Sequence, residues 1–242
     1  MNTLTIAIPP AADTALIVMK AVIDENEREH KLPNDELGPL VLASALSDFF
    51  QLASALEQSD QAMEKEEISE LAGYALDLLD RLSFQLRELN ILDQRENIAR
   101  VCATMAVWFA RRGAVLDNLQ GAADGLAWLT NGMDKPAELV EMCLMMEEVV
   151  EAASAEQATD EDKTNPWRPW RVLNLNVGVA ATRALDPVLM ARVFDDLVER
   201  LPADAPGFFA DGKRQMDEQN VPDAVREVLD TYVAKYPAAP MH

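Results

Sequence analysis

Cysteine, histidine, glycine and basic side chains are scarce in this chain, and each scarcity narrows what it does. The two cysteines, Cys102 and Cys143, lie inside apolar helical patterns without CxxC spacing. They read as small buried hydrophobes of a reducing compartment rather than as nucleophiles. Of the two histidines, His30 stands three residues after Glu27, the carboxylate–imidazole spacing of di-iron bundles. Such a site needs the motif twice, and the other histidine is the last residue, His242. His30 is therefore expected on the surface near a helix C-terminus, where the dipole favours it. No GxSxG, HExxH, phosphate-cradling glycine loop or dinucleotide fingerprint occurs. The sequence nominates no catalytic residue, no metal ligand and no cofactor.

Basic residues number 21 against 42 acidic ones, for a formal charge of −21. Such a surface repels phosphate backbones and anionic headgroups, so neither nucleic acid nor a membrane surface is an expected partner. Acidity serves solubility in one reading and steers a basic partner in the other. Only 9 glycines and 7 phenylalanines stand against many Leu, Ala, Glu and Met residues, which lose little rotamer freedom in a helix. An all-α fold is predicted, and 49% apolar content over 242 residues supplies a sizeable core. The apolar run Val101 to Ala110 is about half of what a bilayer span needs, and Arg100 and Arg111 bound it. The start, Met1 to Ala12, lacks a secretory signal pattern. The expectation is a cytoplasmic chain without a transmembrane helix.

Turn and capping signals divide the chain into about ten helices with short connections, the pattern of antiparallel helical hairpins. Residues 1–12 read as a strand-like arm, 13–155 as an N-terminal helical region, 156–169 as a linker and 170–242 as a C-terminal helical region, together one continuous domain. Asp13 or Thr14 is expected to cap the first helix and Asp93 the fourth, which Gly113 closes in a left-handed conformation. A fifth helix is expected from about Val115 to Thr130. Gly73 either costs its helix about 1 kcal/mol relative to alanine or lets a neighbouring helix approach. The alternation Leu173 to Val179 fits a strand or a helix, and helix is preferred because a lone strand has no partner.

Met105, Ala106 and Phe109, with Gly113 at a turn, stand where a tetratricopeptide repeat carries the leucine, small residue and aromatic of its first helix. The segment Cys102 to Thr130 resembles a degenerate copy of that repeat, although Asn118 occupies a position where alanine is expected. Ala224, Val228, Thr231 and Pro237 look like a second helix with the family's proline displaced by one position. Together the two stretches cover about a third of the chain, without a strict recurrence. The resemblance implies a superhelix with a concave groove for an extended or helical peptide. An irregular helical bundle is the other architecture that fits.

The segment Asn165 to Arg171 places two of the four tryptophans and two arginines in a proline-stiffened turn. Guanidinium planes stack on indoles, and such clusters recur at binding hot spots, so Trp167, Arg168, Trp170 and Arg171 are the candidate partner-binding residues. In the alternative, the tryptophans anchor the linker to the core and the arginines pair with acids. Glu64, Glu67 and Glu70, and again Glu138, Glu141, Glu148 and Glu151, are spaced to gather carboxylates but lack a calcium-loop pattern, and read as exposed stripes. The expected function is that of a non-enzymatic helical-repeat adaptor for a protein or peptide partner, a basic one on the charge argument. An enzyme, or a small-ligand or metal-binding helical protein, with a carboxylate-lined pocket is the alternative. A homo-oligomer is the third reading.

Overall fold

A computed structural model describes residues 4–59, 63–159, 165–218 and 221–238. Residues 60–62, residues 160–164 of the linker and His242 lie outside these described residues. Within them the chain is all-α, with eleven α-helices. The first part holds α1 (Ile8–Glu29), α2 (Pro39–Gln58), α3 (Lys65–Glu88), α4 (Arg95–Ala110), α5 (Gln120–Asn131) and α6 (Pro136–Ala152). After the short α7 (Ala155–Thr159) come α8 (Pro169–Arg183), α9 (Pro187–Arg200), α10 (Ala205–Asp217) and α11 (Asp223–Lys235).

The architecture follows from α4. Its sequence is apolar on nearly every side, and a helix of that kind is stable only when enclosed. Helices α1, α3, α5 and α6 surround it, and Val101 through Phe109 are all buried. From this centre the packing advances along the chain: α5 and α6 meet α8, α8 meets α9, and α9 meets α10 and α11. One contiguous apolar core runs from Leu4 to Tyr232, so the linker separates no second core.

Polar ties cross the same boundary. Arg183 of α8 donates to the carbonyl oxygens of Thr130, at 2.8 Å, and Met133, satisfying groups at and just beyond the end of α5. Arg192 of α9 binds Glu147 of α6 through two hydrogen bonds of 2.6 and 2.8 Å. Glu147 is buried, so its charge depends on that partner. Arg192→Ala is expected to cost about 1–3 kcal/mol, less than for a fully enclosed pair because Arg192 is half exposed. Urea unfolding followed by circular dichroism measures the loss.

Several local expectations are corrected. Helix α1 begins at Ile8, ahead of Asp13 and Thr14, because prolines are tolerated in a first turn and Pro9 and Pro10 open the helix. Its Ile8 N–H is capped from another helix: the Glu57 carboxylate accepts it at 3.2 Å and also accepts the Trp108 indole N–H at 3.2 Å. Leu4 is buried just before it, so this segment joins the core. Asp93 lies in a 3-10 turn, Leu92–Gln94, and α4 starts without a side-chain cap. Gly113 does adopt φ +79°, but α5 starts only at Gln120. The intervening chain is held by backbone bonds of Leu116 with Ala152, at 2.7 Å, and Ser154, at 2.9 Å. Residues Leu173 to Val179 are helical.

Gly73 has no atom within 4 Å of where a Cβ would stand, which removes the close-approach explanation. Gly73→Ala is expected to stabilise the fold by about 0.5–1 kcal/mol through the unfolded-state entropy it removes, read as a higher urea midpoint.

Helix α2, rather than the run Val101 to Ala110, has the length and composition to cross a membrane, with 20 residues and an 18-residue stretch of mean hydropathy 1.4. Here one face buries Leu42, Leu46, Phe49 and Phe50, while Leu40, Val41 and Leu52 stay exposed.

Candidate functional site

Helices α3, α4 and α5 enclose a cleft of about 560 Å³. Its floor is made of small residues. Gly125 sets the α5 backbone directly on α4, since a Cβ there would lie 2.6 Å from the Ala99 carbonyl oxygen. At Gly121, one turn earlier, a Cβ would lie 2.7 Å from an Asp80 carboxylate oxygen and 3.3 Å from Cys102 Sγ. Ile91, Leu92, Ile98 and Trp128 add apolar wall, and Leu92 and Trp128 are exposed at the rim.

The cleft is electrically polarised. Helices α3 and α4 are joined by a short turn, and Arg87, near the end of α3, and Arg95, at the start of α4, both line the cleft at that end. Asp80 lies further back along α3, about 10 Å away at the helical rise. The α5 contacts place Gly121 beside Asp80 and Cys102, and Gly125 beside Ala99. Gln120 and Asp124 therefore belong to the Asp80 end and Trp128 to the arginine end.

Burial in the cleft wall holds the Asp80 carboxyl above the ordinary aspartate range. The hydrogen bond from Asn118, at 2.8 Å, and the charge of Arg87 oppose this shift, and the carboxylates of Asp77 and Asp124 add to it. A raised acid binds its proton more tightly in the folded state, so it favours folding below its unfolded pKa and loses that contribution as pH rises through its folded one. Asp80→Asn, which keeps an acceptor for Asn118, is accordingly expected to raise the melting temperature at pH 7. That advantage shrinks as the pH is lowered through the carboxylate range; a melting temperature unchanged at every pH would contradict it.

The two arginines have the opposite character. Arg87 and Arg95 are exposed and make no ion pair or side-chain hydrogen bond among the described residues. By contrast Arg100, Arg111, Arg171, Arg192 and Arg226 each bind a carboxylate.

The residues singled out from sequence are distributed differently. In the Trp-Arg turn, Trp167 is 76% exposed, whereas Arg168 and Trp170 are buried. Arg168 donates to the Asn165 carbonyl at 2.6 Å, and Arg171 pairs with Asp204 at 2.6 Å and donates to the Pro166 carbonyl at 2.7 Å. The arginines tie the turn down, and Trp167 alone of the four projects outward. An indole–guanidinium stack forms elsewhere, with Arg112 3.7 Å from the Trp108 ring centre. Glu64 and Glu67 form a reciprocal cap on α3, Glu138 binds Lys135, and Glu148 binds Arg111. His30 closes α1 at φ 51°. Among the described residues no group of three His, Cys, Asp or Glu side chains is placed to hold a metal ion.

Both cysteines are buried. Burial pushes their thiols up to about 12, with Asp80 adding to the effect at Cys102 and Glu147 at Cys143. Neither is expected to react with a disulfide reagent in the native protein at pH 7, and both are expected to react in guanidinium; a stoichiometric native reaction would contradict the burial. Cys102 thus forms part of the cleft floor, not a nucleophile.

No family model matches this chain, and no curated protein or solved structure matches it either.

Proposed function

We propose that the chain is a non-enzymatic helical interaction protein that receives a peptide segment of a partner in the cleft between α3, α4 and α5. The observation that carries this reading is a mixed apolar and polar cleft edged by two arginines that form no ion pair among the described residues. Unpaired charge at a concave site leaves interaction energy unused until a ligand arrives. The volume lies within the range of small-ligand and side-chain pockets. Exposed Trp128 and Leu92 supply the amphipathic anchors that concentrate binding energy at interfaces. The tetratricopeptide resemblance of the α4–Gly113–α5 stretch favours the same use, since repeats of that kind bind peptides in grooves between helices.

Selection of a random peptide library on the purified protein tests this. Enriched peptides are expected to lose about tenfold in affinity on Trp128→Ala, a cost of about 1–2 kcal/mol for a partly exposed anchor. No enrichment, or peptides indifferent to Trp128→Ala, would overturn it.

A further inference from the structure

We infer that the segment accepted by this cleft carries a carboxylate and a cationic group about 10 Å apart, the carboxylate seated at the α3–α4 turn and the cation at the Asp80 end. This rests on the reading above and names the partner's chemistry. At one end Arg87 and Arg95 line the cleft with Trp128 and form no ion pair among the described residues. At the other, Asp80 and Asp124 face it, and their known partners are neutral amides: Asn118 donates to Asp80 at 2.8 Å and Gln120 to Asp124 at 3.0 Å. Neither end is closed by a direct ion pair among the described residues, although Arg87 attracts Asp80 along the cleft, and between them the lining includes Leu86, Ile98 and Ala99.

Purely acidic or purely basic segments fit less well. An acidic one meets Asp80 and Asp124 and the field of a −21 chain, while a basic one covers both arginines without pairing them. The acidity of the whole chain alone would select a basic partner; the two ends of the cleft select a mixed one. In an extended peptide about 10 Å separates positions three residues apart, so a Lys-x-x-Glu spacing matches, with apolar residues between. The same charge pair also exists at the two ends of a free tripeptide.

Calorimetric titration separates these cases. The probes are capped peptides carrying Lys-Leu-Leu-Glu, Lys-Leu-Leu-Lys, Glu-Leu-Leu-Glu or Gln-Leu-Leu-Gln between glycine–serine flanks, together with trileucine with free and with capped ends. The mixed-charge peptide is expected to bind about fivefold tighter than each of the other three, the gain of a partly exposed ion pair. Arg95→Gln and Asp80→Asn are each expected to remove that preference, so that the mixed-charge peptide then binds no more tightly than the neutral one in the same variant. Equal binding of all four peptides, still lowered by Trp128→Ala, overturns the charge inference and leaves the cleft as the binding site. Tighter binding of free trileucine than of the capped mixed-charge peptide overturns the assignment to a partner's segment. Binding by none of the probes overturns the charge inference, while the library selection decides the cleft independently.

Discussion

Phe109→Ala is expected to lower the unfolding free energy by about 3–5 kcal/mol, measured by urea denaturation. Phe109 is fully buried on the central helix, with its ring 5.0 Å from that of Trp108 and 6.2 Å from that of Phe49. The cost of truncating a core aromatic depends on how far its surroundings collapse into the space left behind. Here collapse is restricted, because α4 is packed by α1, α3, α5 and α6, and a shift toward the vacancy disturbs its contacts with the others. A loss below about 1 kcal/mol would mean that α4 is not the enclosed centre of the fold.

Gly125→Ala is expected to cost about 2–3 kcal/mol, although alanine is the better helix former. The added carbon would sit 2.6 Å from the Ala99 carbonyl oxygen, which is backbone and cannot rotate away. Helix α5 must move off α4, which also widens the cleft, so peptide affinity is expected to fall together with stability. The comparison with Gly73→Ala makes the test sharp. The same substitution in two helices of one chain is expected to act with opposite signs, because open space surrounds one glycine and a backbone carbonyl faces the other. Stabilisation at both positions would contradict the close approach of α5 to α4.

The helices themselves were largely legible in the sequence. Composition and periodicity indicate an all-α chain, the Asp186 cap and the proline starts of α6 and α9 follow local rules, and Gly113 takes the left-handed turn its position implies. The misplaced starts of α1 and α5 share a cause. Ile8 is capped by Glu57 on another helix, and Leu116, between α4 and α5, is held by backbone pairing to Ala152 and Ser154. Neither partner is near in sequence, so no local signal announces it.

The cleft was hidden for the same reason. Gly121 and Gly125 are visible as a pair one turn apart, but their meaning depends on Ala99, Cys102 and Asp80 lying opposite. Arg87 and Arg95 look like any other surface arginines until the cleft they line is located. Conversely, the Trp-Arg turn was conspicuous because it concentrates rare residues. Composition does not reveal that Arg168 and Arg171 spend their donors on the turn itself and on Asp204.

Site-specific photocrosslinking addresses the binding site directly. A photoreactive phenylalanine derivative is placed singly at Leu92 on the cleft rim, at Leu16 in the groove between α1 and α2 and at Trp167 in the Trp-Arg turn. These positions are 52%, 59% and 76% exposed, so access does not bias the comparison toward the cleft. If the cleft receives the partner, a library-selected peptide crosslinks from position 92 and not from 16 or 167, and an excess of unlabelled peptide abolishes the product. Crosslinks from 16 or 167 with none from 92 would place the interaction on another face and contradict the cleft as the functional site.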